Sequence, residues 1–223
     1  MSADDAAEPA LGVLAALRDL IPDRAIDFAD TLALVQRQAE QLLRLQGITT
    51  APVPSEIVTG LPHIQVVHHH SPLAGTSLWN GRDWVIALNS RDPRAFRRVT
   101  LLHEYAHIVW HGYEHHLFAA DPYLEYLQAE QAADYFAWNA LIPAPMIADA
   151  WAAGVKDIGE LAGLFEVSEY TILARLVQLR LWLPAHHRRQ PHWSQLLTPV
   201  AHTSHPFHLL AGLTELHDPE VVT

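Results

Sequence analysis

The sequence predicts an α+β fold: a small antiparallel sheet packed on a helical body, with a helix-turn-helix-like segment near the C-terminal end. Three observations predict it. Residues 27–48 repeat apolar side chains at helical spacing, residues 76–90 read as a β-hairpin, and two further long helical patterns follow at 92–112 and 122–143.

Residues 1–25 read as a weakly ordered leader. The segment "DFADTLALVQRQAEQLLRLQGI" then places Leu32, Val35, Ala39, Leu42 and Leu43 at steps of three and four, and Gly47 stands where a helix would end. "TTAPVPSEIV" is a proline-punctuated connector with room for a short helix after Pro54. "HIQVVHHH" is β-branched enough for a strand. In "TSLWNGRDWVIALNS" the pair Asn80-Gly81 signals a tight turn, and Trp84, Ile86 and Leu88 alternate with Val85 and Ala87. The helix of "RDPRAFRRVTLLHEYAHIVWHG" starts with Asp92 as cap and Pro93 at the first helical position, and Gly112 stops it. "PYLEYLQAEQAADYFAWNALIP" gives a second long helix ending at Pro143, and "APMIADAWAAG" a short one. Residues 26–155 thus form the main domain, and 156–183 a helix-turn-helix-like segment. Residues 184–223, rich in Pro and His, form an appended tail.

The chain has 223 residues, half of them apolar, enough for a real core. Its 14 basic and 25 acidic residues give a formal net charge of −11, which argues against broad attachment to nucleic acid or anionic lipid. With no cysteine, disulfides and thiolate metal sites are excluded, so any metal must use histidine and carboxylate. The acidic N-terminus lacks the basic start of a signal peptide, and no apolar run is long enough to span a bilayer. A soluble, cytoplasmic protein with no membrane partner is the expectation.

The chemistry concentrates in "LLHEYAHIVWHG". Positions i and i+4 share a helix face, so His103 and His107 can aim both rings at one Zn²⁺, about 2.0–2.1 Å from each nitrogen. Glu104, rotated about 100° around the axis, is a poor ligand for the same ion. It is suited instead to take a proton from a water that the metal activates. Sixteen histidines raise the chance of coincidence. Even so, on the order of 0.06 His-Glu-x-x-His matches are expected in a random chain of this composition.

A catalytic zinc site needs a third protein ligand and an open position. His111 continues the four-residue series but cannot close around the ion from the same straight helix; it reads as a capping histidine or a hydrogen-bonding support for the ligands. His115 and His116 would suit a chain that doubles back at Gly112, and Glu125 also lies within reach. Glu130 is the better candidate, on the next long helix. Asp134 follows it by four residues on the same face, placed to accept a hydrogen bond from the far nitrogen of a ligand histidine. Glu-x-x-x-Asp behind His-Glu-x-x-His is similar to the gluzincin metalloproteases.

Over residues 30–183 the order and spacing of these segments resemble the ImmA/IrrE family of bacterial and phage metallopeptidases, found with regulators of mobile elements and of DNA-damage responses. The resemblance rests on the N-terminal helix and connector, "WVIALNS", "RRVTLLHEYAHIVWH", "EQAADYFAWNALIP" and "LAGLFEVSEYTILARLVQLRLW". It implies zinc as cofactor, His103, His107 and Glu130 as its ligands, and Glu104 as general base. Asp134 stands where the family often has Asn, and Ile142 replaces the commoner Met. The implied partner is a protein substrate, a helix-turn-helix DNA-binding repressor of a phage or mobile element encoded nearby. The implied role of "WVIALNS" is an edge strand that pairs with the substrate backbone. The competing reading is a zinc-containing transcriptional regulator or sensor without turnover.

"ELAGLFEVSEYTILARL" fits a helix-turn-helix pattern, but Glu166 sits where Gly is typical, and Glu166 and Glu169 would oppose phosphates against only Arg175 and Arg180. A packing or partner-docking role is expected there rather than direct DNA binding. His68, His69 and His70 and the tail histidines read as solvated, and Trp138 and Trp151 as core.

Overall fold

The computed structural model describes residues 8–182, with side chains from residue 12 onward. The tail expected from residue 184 lies outside the described residues.

Helix α1 (Glu8–Arg18) precedes α2 (Phe28–Leu45) and the short α3 (Glu56–Thr59). Strands β1 (Ile64–His69), β2 (Gly75–Trp79) and β3 (Trp84–Asn89) form the sheet. Then come α4 (Arg94–Trp110), the single turn α5 (Glu114–Leu117), α6 (Pro122–Leu141), α7 (Ala144–Ala152), α8 (Ile158–Phe165) and α9 (Glu169–Gln178). The helix starts follow capping chemistry. Side chains of Asp27, Asp121, Asp157 and Ser168 accept from first-turn amides of α2, α6, α8 and α9. At α4 the cap position is Pro93, one residue later than expected, because Pro93 keeps an extended ψ of 148° and the helix begins at Arg94.

Helices α2, α4 and α6 form the core. Their buried faces include Leu34, Val35 and Leu42 from α2, Tyr105, Ile108 and Val109 from α4, and Phe136 from α6. Ala132, Ala133, Ala137 and Ala140 are fully buried on α6, and their small side chains let that helix approach its neighbours closely. The polar groups that enter this core are paired. Trp110 Nε1 donates to Gln38 Oε1 at 2.9 Å, and Gln38 Nε2 donates to the Leu17 carbonyl at 2.9 Å.

The sheet is three-stranded in the order β1-β3-β2. The hairpin pairs β2 with β3 antiparallel, from Gly75↔Leu88 to Trp79↔Trp84. Strand β1 lies on the other side of β3 and runs parallel to it, from Ile64↔Trp84 to His69↔Asn89. The sheet is therefore mixed where the sequence suggested antiparallel pairing throughout. An alternating strand pattern fixes which face is buried but not the direction of a neighbour. The connection from β1 carries the chain past β3's place to the far edge. It is tied down by Asn89, whose amide donates to Ala74 O and whose side chain donates to Ser71 O, both at 2.9 Å.

This order also corrects the edge-strand expectation: "WVIALNS" is the central strand β3, bonded on both sides, with Ile86 and Leu88 buried. The edge beside α4 is β2. The hairpin loop spans Asn80–Asp83 rather than two residues, with Asn80 Oδ1 accepting from the amides of Arg82 and Asp83 at 3.0 and 2.8 Å. Gly81 takes the left-handed φ of 97° this loop requires.

The stretch expected as a loose leader contains α1, which packs on the core. Val13 and Leu17 are buried, and Arg18 donates to the carbonyls of Val109 and Ile108 at 3.1 and 2.7 Å. A cation thereby caps the C-terminal turn of α4. The sequence concealed this because only a narrow stripe of α1 is buried.

Helices α8 and α9 pack on each other; of their charged residues Glu166 and Arg175 are paired within the fold, whereas Glu160 and Glu169 are exposed. Glu166 holds the left-handed turn position (φ 52°), and its carboxylate pairs with Arg94 and Arg98 at 3.0 Å each. Arg98, itself buried, also donates to the carbonyls of Phe165, Glu166 and Val53. Arg175 is 1% exposed and donates to Ile142 O and Asn139 Oδ1. That guanidinium is spent on tying α9 to the end of α6, so it does not face a phosphate backbone.

Candidate metal centre

Helix α4 lies beside the sheet edge and against α6, so one stretch of its surface faces both. On that stretch His103 and His107 are one turn apart with Nε2 atoms separated by 3.2 Å. Glu130, on α6, closes the group: Oε2 lies 3.6 Å from His103 Nε2, and Oε1 lies 3.4 Å from His107 Nε2. The three donor atoms all fall within 4.8 Å of one another, a set able to hold a metal ion. It is the only such group among the described residues. His115, His116 and Glu125 are not part of it.

Burial sharpens the chemistry. His103 is 2% and Glu130 6% exposed. Desolvation alone would lower the His103 imidazole, but hydrogen bonds to Asp134 and Glu130 raise it well above its ordinary value. Desolvation would raise Glu130, and its contacts with His103 and His107 bring it down to about 2. Both directions mark a pocket that favours positive charge at its centre. Two imidazole nitrogens and one carboxylate, convergent and with only His107 partly exposed, fit a divalent cation.

Asp134 Oδ1 is 2.9 Å from His103 Nδ1, the nitrogen not directed at the cluster. His111 occupies the C-cap position of α4. Its ring meets Trp84 edge-on at 4.9 Å and its Nδ1 lies 3.8 Å from Glu114, and none of its described contacts is to His103, His107 or Glu130.

Glu104 is 5% exposed and borders a cleft of about 340 Å³ together with His107 and Glu130. One wall of the cleft is the edge strand β2, through Thr76, Ser77, Leu78 and Trp79. Trp84, Trp110 and Phe118 make it largely aromatic. Sequence reasoning did not single out Gly75. A Cβ there would lie 3.2 Å from both Cγ and Oε1 of Glu104 and 2.4 Å from Thr100 Cγ2. Its only sequence signal is a glycine at a strand start, which has many other causes.

A helix presenting His-Glu-x-x-His, a second helix supplying a carboxylate and a sheet edge alongside define a metallopeptidase-like fold. Residues 63–177, more than half of the chain, match the IrrE N-terminal-like domain, Peptidase_M78, and the chain belongs to this peptidase family. Among solved structures it is similar to a Mycobacterium tuberculosis transcriptional regulator, with a TM-score of 0.53 and 21% identity over 74% of this chain and 51% of that one. The likeness is one of fold, and the chain spans about half the length of that relative. No curated protein matches it. No described helix is long and apolar enough to cross a membrane.

Proposed function

We propose that this chain is a zinc-dependent endopeptidase acting on a protein, with a helix-turn-helix repressor as substrate. The convergence of His103, His107 and Glu130 beside a buried Glu104 at the edge of an aromatic cleft carries the reading.

His103, His107 and Glu130 would hold the ion, and Asp134 would keep the proton on His103 Nδ1 so that Nε2 presents its lone pair. When bound, zinc polarises a scissile carbonyl and acidifies water. Glu104 takes the proton from the attacking water and returns it to the leaving amine nitrogen. The edge strand β2, rather than β3, lies along the cleft through Thr76, Ser77, Leu78 and Trp79 and would pair with an extended peptide. The tryptophans suit an apolar substrate side chain and exclude water around the reacting bond.

The test uses the purified full chain and the product of the repressor gene nearest its own. Wild-type protein carries about one zinc, His103→Ala loses it, and Glu104→Gln keeps it while cleavage, followed by mass spectrometry, disappears. Cleavage by Glu104→Gln at the wild-type rate would refute the mechanism. If the wild type binds zinc and cuts nothing, while both proteins occupy promoter DNA with a steep salt dependence, the non-catalytic regulator replaces it.

A further inference from the structure

Trp84 borders two cavities. One is the cleft just described. The other, of about 330 Å³, is lined by α1, the approach to β1 and the back of α4, through Leu14, Arg18, Leu61, Ile64 and Tyr105. Its size falls at the lower end of small-molecule sites, which run from about 300 to 1,000 Å³.

Two polar features distinguish it from a packing defect. Tyr105 is wholly buried, yet its hydroxyl has no hydrogen-bond partner. A phenylalanine would fill the same space without the cost of desolvating that oxygen. The second feature is Arg18. Its Nε and Nη2 are fixed on the carbonyls of Val109 and Ile108, and its guanidinium lies 5.9 Å from the centre of the Tyr113 ring. Two of five N–H donors are committed in those bonds, on a half-buried and immobilised cation. Asp19, also at the lining, is exposed to solvent, so the fixed charge at the cavity is positive.

We propose that this cavity binds a small apolar monocarboxylate. The carboxylate meets the Arg18 guanidinium and accepts from the Tyr105 hydroxyl, and the apolar body lies against Leu14, Leu61, Ile64 and Trp84. Occupancy registers in the cleft because Trp84 also packs on Trp79, at 5.6 Å, and on His111, at 4.9 Å. Binding here does not depend on the peptidase reading.

The test titrates the zinc-loaded full chain with 3-phenylpropionate, 3-phenylpropionamide and 3-phenylpropylamine, following tryptophan fluorescence and calorimetric heat. The acid is expected to bind one to one, at least about tenfold tighter than the amide, the difference between a charge-assisted and a neutral hydrogen bond; the amine is expected not to bind. Tyr105→Phe is expected to melt at or above the wild-type temperature and to bind the acid about tenfold more weakly. Ala15→Trp, which fills the cavity from its exposed rim, is expected to abolish binding with zinc content unchanged. Equal affinity for acid and amide would overturn the proposal. So would acid binding that survives in Ala15→Trp, since the carboxylate would then be on the zinc. If Ala15→Trp fails to fold, Tyr105→Phe decides: unchanged affinity there sinks the assignment.

Discussion

Asp134 Oδ1 sits 2.9 Å from His103 Nδ1, and His103 Nε2 faces Glu130 at 3.6 Å, so one imidazole is held between two carboxylates from a single helix. On the proposed reading the outer carboxylate would fix the ring and its tautomer, and the inner one would share the cation position. Removing the outer one should leave the fold intact and weaken the grip on metal. Asp134→Ala is expected to lower zinc affinity about 10–100-fold, and Asp134→Asn, which keeps an acceptor oxygen, to lose less. Competition with a chromogenic chelator measures both. Wild-type affinity in Asp134→Ala would mean the contact is incidental.

The same geometry gives opposite pH behaviour with and without metal. His103 lies well above its ordinary value, the bonds to Asp134 and Glu130 outweighing its burial. In the metal-stripped protein its contribution to stability is full below the unfolded imidazole value of about 6.5 and is lost as pH rises through the raised folded value. Glu130, brought down to about 2, contributes above its unfolded carboxylate value and is lost only as pH falls through about 2. If His103 holds zinc it must be neutral to do so and would give up its proton, so zinc affinity is expected to rise with pH. Melting curves from about pH 6.5 to 9 are therefore expected to fall for the stripped protein and to rise or hold with zinc. A stripped protein whose melting temperature climbs over that range would contradict the assignment of the raised group.

Much of this centre was legible in the sequence because it is built from local periodicity. The i, i+4 spacing of His103 and His107, and of Glu130 and Asp134, fixes which side chains share a helix face before any tertiary contact exists. What joins distant segments was not legible. The parallel seat of β1 beside β3 leaves no trace in an alternating pattern. Arg175 resembles a surface cation in sequence and is buried because Asn139 and Ile142 O meet it. Glu166 looked like a misfit at a turn that favours glycine, and its reason is Arg94 and Arg98 on another helix. Gly75 is informative only once β2 is seen to lie against Glu104.

Gly75 gives a prediction that separates catalysis from metal binding. An added methyl would press on Thr100 Cγ2 at 2.4 Å and on the Glu104 side chain at 3.2 Å, its three nearest atoms, and none of these belongs to His103, His107 or Glu130. Gly75→Ala is expected to cost about 1–3 kcal/mol of stability through overpacking. It should also lower kcat by displacing Glu104, with zinc content unchanged. Thr100→Ser removes the nearest clashing methyl, so the double variant should recover part of both losses. If it recovers stability but not kcat, the contact with Glu104 rather than with Thr100 controls the rate.

Arg98 and Glu166 join the sheet-proximal start of α4 to the end of α8, and the two partners should respond unequally to removal. Arg98 is buried and donates to three backbone carbonyls as well as to the Glu166 carboxylate. Arg98→Ala strips all four acceptors at once and is expected to destabilise the chain by about 3 kcal/mol or more. Glu166 is partly exposed, with a side chain 39% accessible, and holds a left-handed φ of 52°. Glu166→Gly loses the ion pairs but relieves that backbone position, so a net cost within about 1 kcal/mol is expected. Neither residue belongs to the His103, His107 and Glu130 group, and zinc stoichiometry should be unchanged in both variants. Urea denaturation decides the comparison: a loss in Glu166→Gly as large as in Arg98→Ala would show that the carboxylate, not the carbonyl clamp, holds α8 on α4.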